Sequence, residues 1–388
     1  MFELRRTLSV FRSLRKGKGF TLINIAGLAF GLAGAMLIAL WVRDELGFDR
    51  FHRDSGRTFR VMSEGGAYHW KNMRGTPAPL AEAVRRELPE IEAAARFAST
   101  PRIVFQAGSK TLFEEHGLIA DPALFEIFSF PFLSGDARTA LAGPNRIVLT
   151  DSLGRKYFGD ADPVGQTVRI DGRPFQVTGV LRDIPANSHI RFDYLTSFEY
   201  IGEYSSYSTH WGAFNFVTYV KLRTRVDPVS AAGKMTALAK ANKSPQVVNG
   251  VEFRLLPLLK AHLDPSGYVQ SWEVLGDRRV VLAFALIGGF VLLVAGINFI
   301  TGSTARSAER AREVGIRKVA GASRGRLAAR FFGESLVHVL TAGSIAVTIA
   351  ALSLPAYNAL SGKAFSLGNL IRPDILALFL AITLLAGL

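Results

Sequence analysis

From residue 309 the chain reads Glu309-Arg310-Ala-Arg-Glu313-Val314-Gly315-Ile316-Arg317-Lys318-Val319-Ala-Gly321-Ala-Ser323. The charged side chains Glu309, Arg310, Glu313, Arg317 and Lys318 surround three apolar ones, Val314, Ile316 and Val319. Gly315 and Gly321 should interrupt the helix, and Ser323 can cap a new one. This is the chemistry of recognition, not of bond making. An apolar ridge with charged flanks suits a short helix seated in another protein's groove. Bond-making groups are sparse elsewhere. There is no G-x-x-x-x-G-K-[ST] phosphate loop and no G-x-S-x-G elbow. Gly108-Ser109-Lys110-Thr111 lacks the required glycine spacing and reads as a hairpin turn. The seven histidines, at 52, 69, 116, 189, 210, 262 and 338, include no H-x-x-x-H pair. No catalytic residue, metal site or cofactor is therefore expected, and the chain does not read as an enzyme.

That segment is placed by two uncharged apolar stretches, Thr21 to Val42 and Val280 to Thr301, of 22 residues each. A helix needs roughly 20 apolar residues to cross a bilayer core. Each stretch is long enough, and 237 mixed-character residues lie between them. A signal h-region runs about 7–15 residues, so the first stretch reads as an uncleaved anchor. Within it Gly27, Gly31 and Ala35 form a flat stripe at i, i+4 and i+8, the spacing that lets another membrane helix come close.

The net charge of +14 sits at the ends of these spans. Residues 1–20 and 302–334 carry +5 each, while residues 43–279 carry only +3. The excess follows the positive-inside rule and argues against nucleic acid as a partner. Both basic segments are expected to be cytoplasmic and the large domain to lie outside. Residues 2–16 pattern as an amphipathic helix resting on membrane lipid. With no cysteine, the outer domain has no disulfide; at its size it can bury a core without one.

The expected organisation is an integral membrane α-helical protein with a large α+β extracytoplasmic domain. Its parts are a cytoplasmic amphipathic helix (1–20), a first span (21–42), the outer domain (43–279) and a second span (280–301). A cytoplasmic segment (302–333), a third span (334–354), an outer loop (355–372) and a fourth apolar run (373–388) follow. Sixteen residues make about 24 Å of helix, short of a bilayer core, so the chain reads as part of a longer protein. In the outer domain, strands are expected at Thr58–Ser63, Arg102–Gln106, Leu112–Ile119, Arg146–Leu149, Thr167–Ile170, Phe175–Leu181, Asn215–Leu222 and Val251–Leu256. Helices are expected at Pro79–Leu88, from an Asp151 or Ser152 cap through Phe158, and at Pro228–Ala241. Asp171-Gly172 marks a hairpin. Glu334 and His338, one turn apart near the start of the third span, are ionisable residues at a membrane, and snorkelling to water accounts for Glu334.

These residues also resemble a known family. Glu309 to Ala322 follows the E-R-x-x-E-I-G-I-R-K-x-x-G-A loop of FtsX/MacB-type permeases of ABC transporters, with Val314 for Ile. Phe331-Phe-Gly-Glu334-Ser335 fits the downstream F-x-x-E-S. The outer domain is similar to the two-lobed MacB-type periplasmic core at Phe128-Ser-Phe-Pro-Phe-Leu-Ser-Gly135, Lys156-Tyr-Phe-Gly159 and Asp162-Pro-Val-Gly165. Phe175 to Pro185 and Asn187-Ser-His189 extend the similarity. The resemblance implies a separate cytoplasmic ATPase subunit docked on Glu309–Gly321 as a coupling helix, and a second permease unit, either a homologous subunit or a C-terminal half. It implies an inner-membrane location with the large domain in the periplasm, and ATP-driven export or mechanotransmission. A membrane-anchored sensor with an outer ligand-binding domain is the alternative, weakened by the third and fourth apolar runs.

Overall fold

The computed structural model describes residues 18–66, 69–197, 209–265, 273–304, 314–316, 318–319, 323–377, 379 and 381. The expected amphipathic helix at 2–16 lies outside them. Two compact units emerge: Gly47–Arg278, and the segments on either side of it. In chain order the elements are α1 (Lys18–Glu45), β1 (Thr58–Gly65), β2 (Trp70–Met73), α2 (Leu80–Glu87), β3 (Ile91–Ser99), β4 (Ile103–Ala107), β5 (Lys110–Glu114) and β6 (Gly117–Ala120). Next come β7 (Phe132–Gly135), β8 (Arg146–Thr150), α3 (Asp151–Phe158), β9 (Thr167–Ile170), β10 (Arg173–Leu181), β11 (Tyr194–Thr196) and β12 (Val217–Leu222). The last of the longer elements are α4 (Pro228–Ala241), β13 (Val251–Pro257), α5 (Arg278–Thr304) and α6 (Arg324–Ser361); four-residue helices at Leu124–Ile127, Pro245–Val248, Leu258–Ala261 and Leu367–Leu370 complete the order.

The α+β unit is built on one mixed sheet of order β13-β1-β12-β3-β6-β11-β8-β10-β9-β4-β5, with β2 on β1 and β7 on β10. β8 with β10 and β6 with β11 run parallel; the other pairs are antiparallel. Its two halves are filled separately, as a two-lobed domain requires. At one end α2 and α4 pack Leu80, Val84, Ala231 and Met235 against Val61, Val220 and Phe253. At the other, Leu153 and Tyr157 of α3 cover Phe105, Val168, Phe175 and Val177. Between them lies a third cluster with Phe97, Phe128, Leu195 and Tyr219.

Local chemistry explains the element ends. α4 starts where the Asp227 carboxylate accepts the Ser230 N–H at 2.8 Å and Pro228 sits in the first turn. At Asp171-Gly172 both residues have positive φ, 48° and 82°, as a type I′ hairpin turn demands. Two local expectations change. α3 is capped by Thr150, whose hydroxyl accepts the Leu153 N–H at 3.4 Å. Asp151 instead pairs with Arg155 one turn on, and Ser152 bonds to Asp183. The single strand expected at Leu112–Ile119 is two, β5 and β6. β5 folds back on β4 through the turn at Gly108, whereas β6 joins β3 and β11. The two needs cannot be met by one straight strand.

In the helical unit α1, α5 and α6 each contain a segment long and apolar enough to cross a membrane. α6 turns Val339, Ala342, Ala346, Ala350 and Leu354, all buried, towards a cluster that includes Leu28, Leu32, Met36 and Leu40 of α1. Alanines every fourth residue hold one helical face low enough for close packing. Contrary to the expected boundary, α6 runs through Pro355 to Ser361 and stops at Gly362, with φ of 65°. Pro355 forfeits one backbone bond. Beyond it Tyr357 donates to the Leu37 carbonyl at 3.1 Å, and Asn358 exchanges two bonds with the backbone of Phe365. The expected outer loop thus begins about two turns later. The fourth run is helical over residues 373–377, and residues 382–388 lie outside the described ones.

Gly117 tests the junction between the two halves of the sheet. A Cβ there would stand 1.9 Å from the Tyr194 ring, whose hydroxyl is 2.7 Å from that of Thr100. Gly117→Ala should destabilise the α+β unit by about 1–3 kcal/mol, read as a lowered thermal midpoint.

Candidate functional site

Three places hold the residues of interest. The first is the segment between α5 and α6. Glu309, Arg310, Glu313, Arg317 and Gly321 lie outside the described residues. Val314, Gly315, Ile316, Lys318 and Val319 are helical, so Gly315 does not make the break expected of it. Val314 is half-buried, but Ile316 is 65% and Val319 91% exposed. These two lie three residues apart, on one side of a helical turn. Glu334 and His338 begin the next apolar stretch, where the His338 ring bonds to the Glu334 carbonyl at 2.7 Å.

The second is the stripe Gly27, Gly31 and Ala35 on α1. A Cβ on Gly31 would lie 2.4 Å from that of Ala295, and one on Gly27 2.9 Å from the Asn298 amide nitrogen. Ala35 is buried. α5 contributes small residues of its own: Gly288 lies against Ile38, and Gly302 against Asn24. Asn24 also donates to the Phe299 carbonyl at 3.3 Å, a polar bond between apolar helices. Beyond the stripe, Arg43 pairs with Asp374 at 2.6 Å, and Lys363 reaches both Asp44 and Glu45 at 2.7 Å. An apolar cavity of about 270 Å³ lies among α1, α5 and the start of the fourth run, lined by Leu32, Met36, Gly288, Leu292, Ile375 and Phe379.

The third place is a buried polar chain in the α+β unit, which the sequence did not disclose. Its first member, Asp49, stands four residues after α1 in the chain; its far member, Glu273, stands five before α5. The Asp49 N–H donates to the Asn187 carbonyl at 2.9 Å. Its carboxylate accepts the His189 N–H at 3.1 Å and lies 2.7 Å from His189 Nδ1. His189 Nε2 is 2.6 Å from the Tyr219 hydroxyl, which also accepts from Arg60 Nε at 2.6 Å. Arg60 Nη2 is 2.6 Å from Glu273 Oε1, and Arg74 pairs with Glu273 Oε2. The chain then closes on itself, because the Val274 N–H donates to the His189 carbonyl at 2.8 Å.

All these side chains are excluded from water, so their charges must balance locally. Both guanidinium groups pair with the Glu273 carboxylate, while the Asp49 carboxylate stands against His189. Burial is the largest influence on the Asp49 carboxyl and pushes it up, but the charge and bonds of His189, with the charge of His52, together outweigh it and hold the carboxyl below the usual value. Burial raises the Tyr219 phenol. Burial opposes the charge on Arg60, yet Tyr219 and Glu273 hold it protonated. Beside the chain, His52 is enclosed by Phe51, Phe128 and Phe130, accepts the Ser129 N–H at Nδ1 over 3.0 Å, and stands 4.0 Å from Asp49. The histidines, which form no H-x-x-x-H pair in the sequence, therefore include two, His52 and His189, gathered on one carboxylate. The faint signals were Asp49-x-x-His52 and Asn187-Ser-His189. Among the described residues no three His, Asp or Glu side chains are grouped to hold a metal.

His52 gives the α+β unit a pH dependence of definite sign. Burial lowers its pKa from 6.5 to about 4. The unfolded chain takes up this proton first as the pH falls, so stability is whole above pH 6.5 and declines towards pH 4. Asp49, with its lowered pKa, adds loss in more acidic solution. His52→Gln, which keeps an acceptor for the Ser129 N–H, should flatten the decline between pH 6.5 and 4 by at most about 3 kcal/mol. Thermal midpoints measured across that range check it.

Residues 21–238 match the family described as MacB-like periplasmic core domain, and residues 285–388 match FtsX-like permease C-terminal. An uncharacterized ABC transporter permease, YknZ, of Bacillus subtilis is 26% identical over 223 residues, 54% of this chain and 49% of that protein. The pyoverdine export ATP-binding/permease protein PvdT of Pseudomonas aeruginosa is 25% identical over 238 residues, 58% of this chain and 32% of that protein. The matches thus cover about half of the first relative and a third of the second. The crystal structure of the periplasmic region of MacB from Actinobacillus actinomycetemcomitans compares at a TM-score of 0.40 and 16% identity, over 53% of this chain and 90% of that one. With more than half of its residues inside the first family and a further stretch inside the second, the chain belongs to the FtsX/MacB-type permeases of ABC transporters, inner-membrane proteins that carry a large α+β domain on the outer side.

Proposed function

We propose that this permease docks a separate cytoplasmic ATPase on the segment Glu309–Gly321 and passes the ATPase's motion through α1 and α5 to the outer domain. The observation that carries the reading is the exposure of Ile316 and Val319, 65% and 91%, on a helical turn between two membrane helices. Two large aliphatic side chains so exposed call for a covering surface. The charges of Glu309, Arg310, Glu313, Arg317 and Lys318 fit a partner that reads both signs, and Val314 adds to the apolar ridge.

Transmission needs stiff levers, and the packing supports them. Gly27 and Gly31 on α1 meet Asn298 and Ala295 on α5 with almost no intervening side chain. Helices in such contact move as a pair more readily than they slide. A second permease unit would complete the assembly against a pair of ATPase subunits. The work delivered outside would serve export or a mechanical change of the outer domain.

Ile316→Asp tests the docking surface. Truncating a central apolar anchor costs about 2 kcal/mol, roughly thirtyfold in affinity. Co-purification of the ATPase should fall accordingly, and permease-stimulated ATP hydrolysis with it. Undiminished recovery of the ATPase would remove this segment as the dock.

A further inference from the structure

The α+β unit enters the fold at Gly47 and leaves it at Arg278, and both ends converge on one polar chain. We infer that Asp49, His189, Tyr219, Arg60, Glu273 and Arg74 form a latch that makes these two ends a single mechanical element. Its use in transmitting motion rests on the function proposed above; the latch itself does not.

The argument starts from His189. Its backbone serves both ends at once, donating to the Asp49 carboxylate at 3.1 Å and accepting the Val274 N–H at 2.8 Å. Its ring continues the link, with Nδ1 on Asp49 and Nε2 on Tyr219. Tyr219 is the midpoint. It stands on β12, in the interior of the sheet, and its hydroxyl meets both His189 and Arg60. Arg60, on β1, carries the link to Glu273, where Arg74 meets it from the other side. The two ends are thereby tied to each other and to two interior strands.

A second, shorter tie runs beside the first. Phe48 stacks on His262 with ring centres 3.4 Å apart. The His262 ring bonds to the Val274 carbonyl at 2.8 Å, and its own carbonyl accepts the Gly276 N–H at 2.8 Å. Entry residues 48 and 49 are thus joined to exit residues 273, 274 and 276 by two routes that share no side chain.

A buried polar chain of this kind does not yield gradually. Opening any link strands a donor, an acceptor or a charge without water to replace the partner. The latch is closed or it is open, and a pull on one end is resisted at the other.

The Tyr219→Phe variant tests this with little change of volume. It removes the one hydroxyl shared by His189 and Arg60 and so strands the His189 ring nitrogen and the Arg60 Nε–H in the middle of the latch, away from water. Amide hydrogen exchange on the full membrane-embedded chain supplies the readout, whether or not an ATPase docks. The Asp49 and Val274 amides, which hold the two ends on the Asn187 and His189 carbonyls, should both exchange roughly tenfold faster or more. The amides of β4 and β9, in the far half of the sheet, should keep their protection. Loss confined to one end would overturn the latch, and so would no change at either. Equal loss in β4 and β9 would overturn it too, by making Tyr219 a general core residue. Asp49→Asn, which keeps the size and one acceptor, must give the same two-ended pattern, so a folding failure of the first variant leaves a second decisive measurement.

Discussion

Glu273 lies without solvent exposure between the guanidinium groups of Arg60 and Arg74, and much of the outer domain's integrity depends on that arrangement. Removing a carboxylate or guanidinium from water costs several kcal/mol, and breaking a buried pair by losing one partner costs about 3–5 kcal/mol. Here one carboxylate serves two cations. If the segment ending the domain peeled away, both arginines would remain buried and uncompensated. The strands that carry or flank them, β1 and β2, could not stay as they are. A terminal segment that would otherwise fray is in this way bound to the sheet as firmly as an interior strand.

The helical unit solves a different problem with different means. In hydrocarbon there is little hydrophobic force between helices, so contact must come from close packing and a few polar bonds. Gly31 against Ala295 and Gly288 against Ile38 give the first; Asn24 on the Phe299 carbonyl gives the second. Charge is kept to the end of the bundle, where Arg43, Asp44 and Glu45 meet Asp374 and Lys363. Small residues inside and ion pairs at the rim fix the spacing of the helices.

What could be read in the sequence was what neighbouring residues decide among themselves. The apolar stretches, the stripe Gly27-Gly31-Ala35, the Asp171-Gly172 turn and the Asp227-Pro228 helix start are each set within a few residues, and their physics is local. Thr150 was passed over as a cap because Asp151 and Ser152, equally able to cap, follow it. The extension of α6 past Pro355 could not be read because it depends on Leu37 and Phe365, which meet Tyr357 and Asn358 only in the fold. The buried chain was least legible of all. Arg60 and Glu273 belong to opposite ends of the domain, and nothing near either residue says that it will be buried. Of the segment between α5 and α6, the order of charged and apolar residues was plain, while the exposure of Ile316 and Val319 needed the structure.

Why polar groups hold the two ends, when hydrocarbon would pack at lower desolvation cost, follows from what each can specify. Well-packed apolar residues in place of a buried ionic cluster are often neutral or stabilising, so raw stability does not account for it. An apolar contact tolerates a shift of an ångström with modest loss. A hydrogen bond of 2.6 Å, such as Arg60 to Tyr219, does not, because its strength falls steeply with distance and angle. For a domain attached to membrane helices at both ends, the useful property is a fixed register between those ends. Stability can be supplied by the three apolar clusters of the sheet; register at the attachment points has to come from groups with direction.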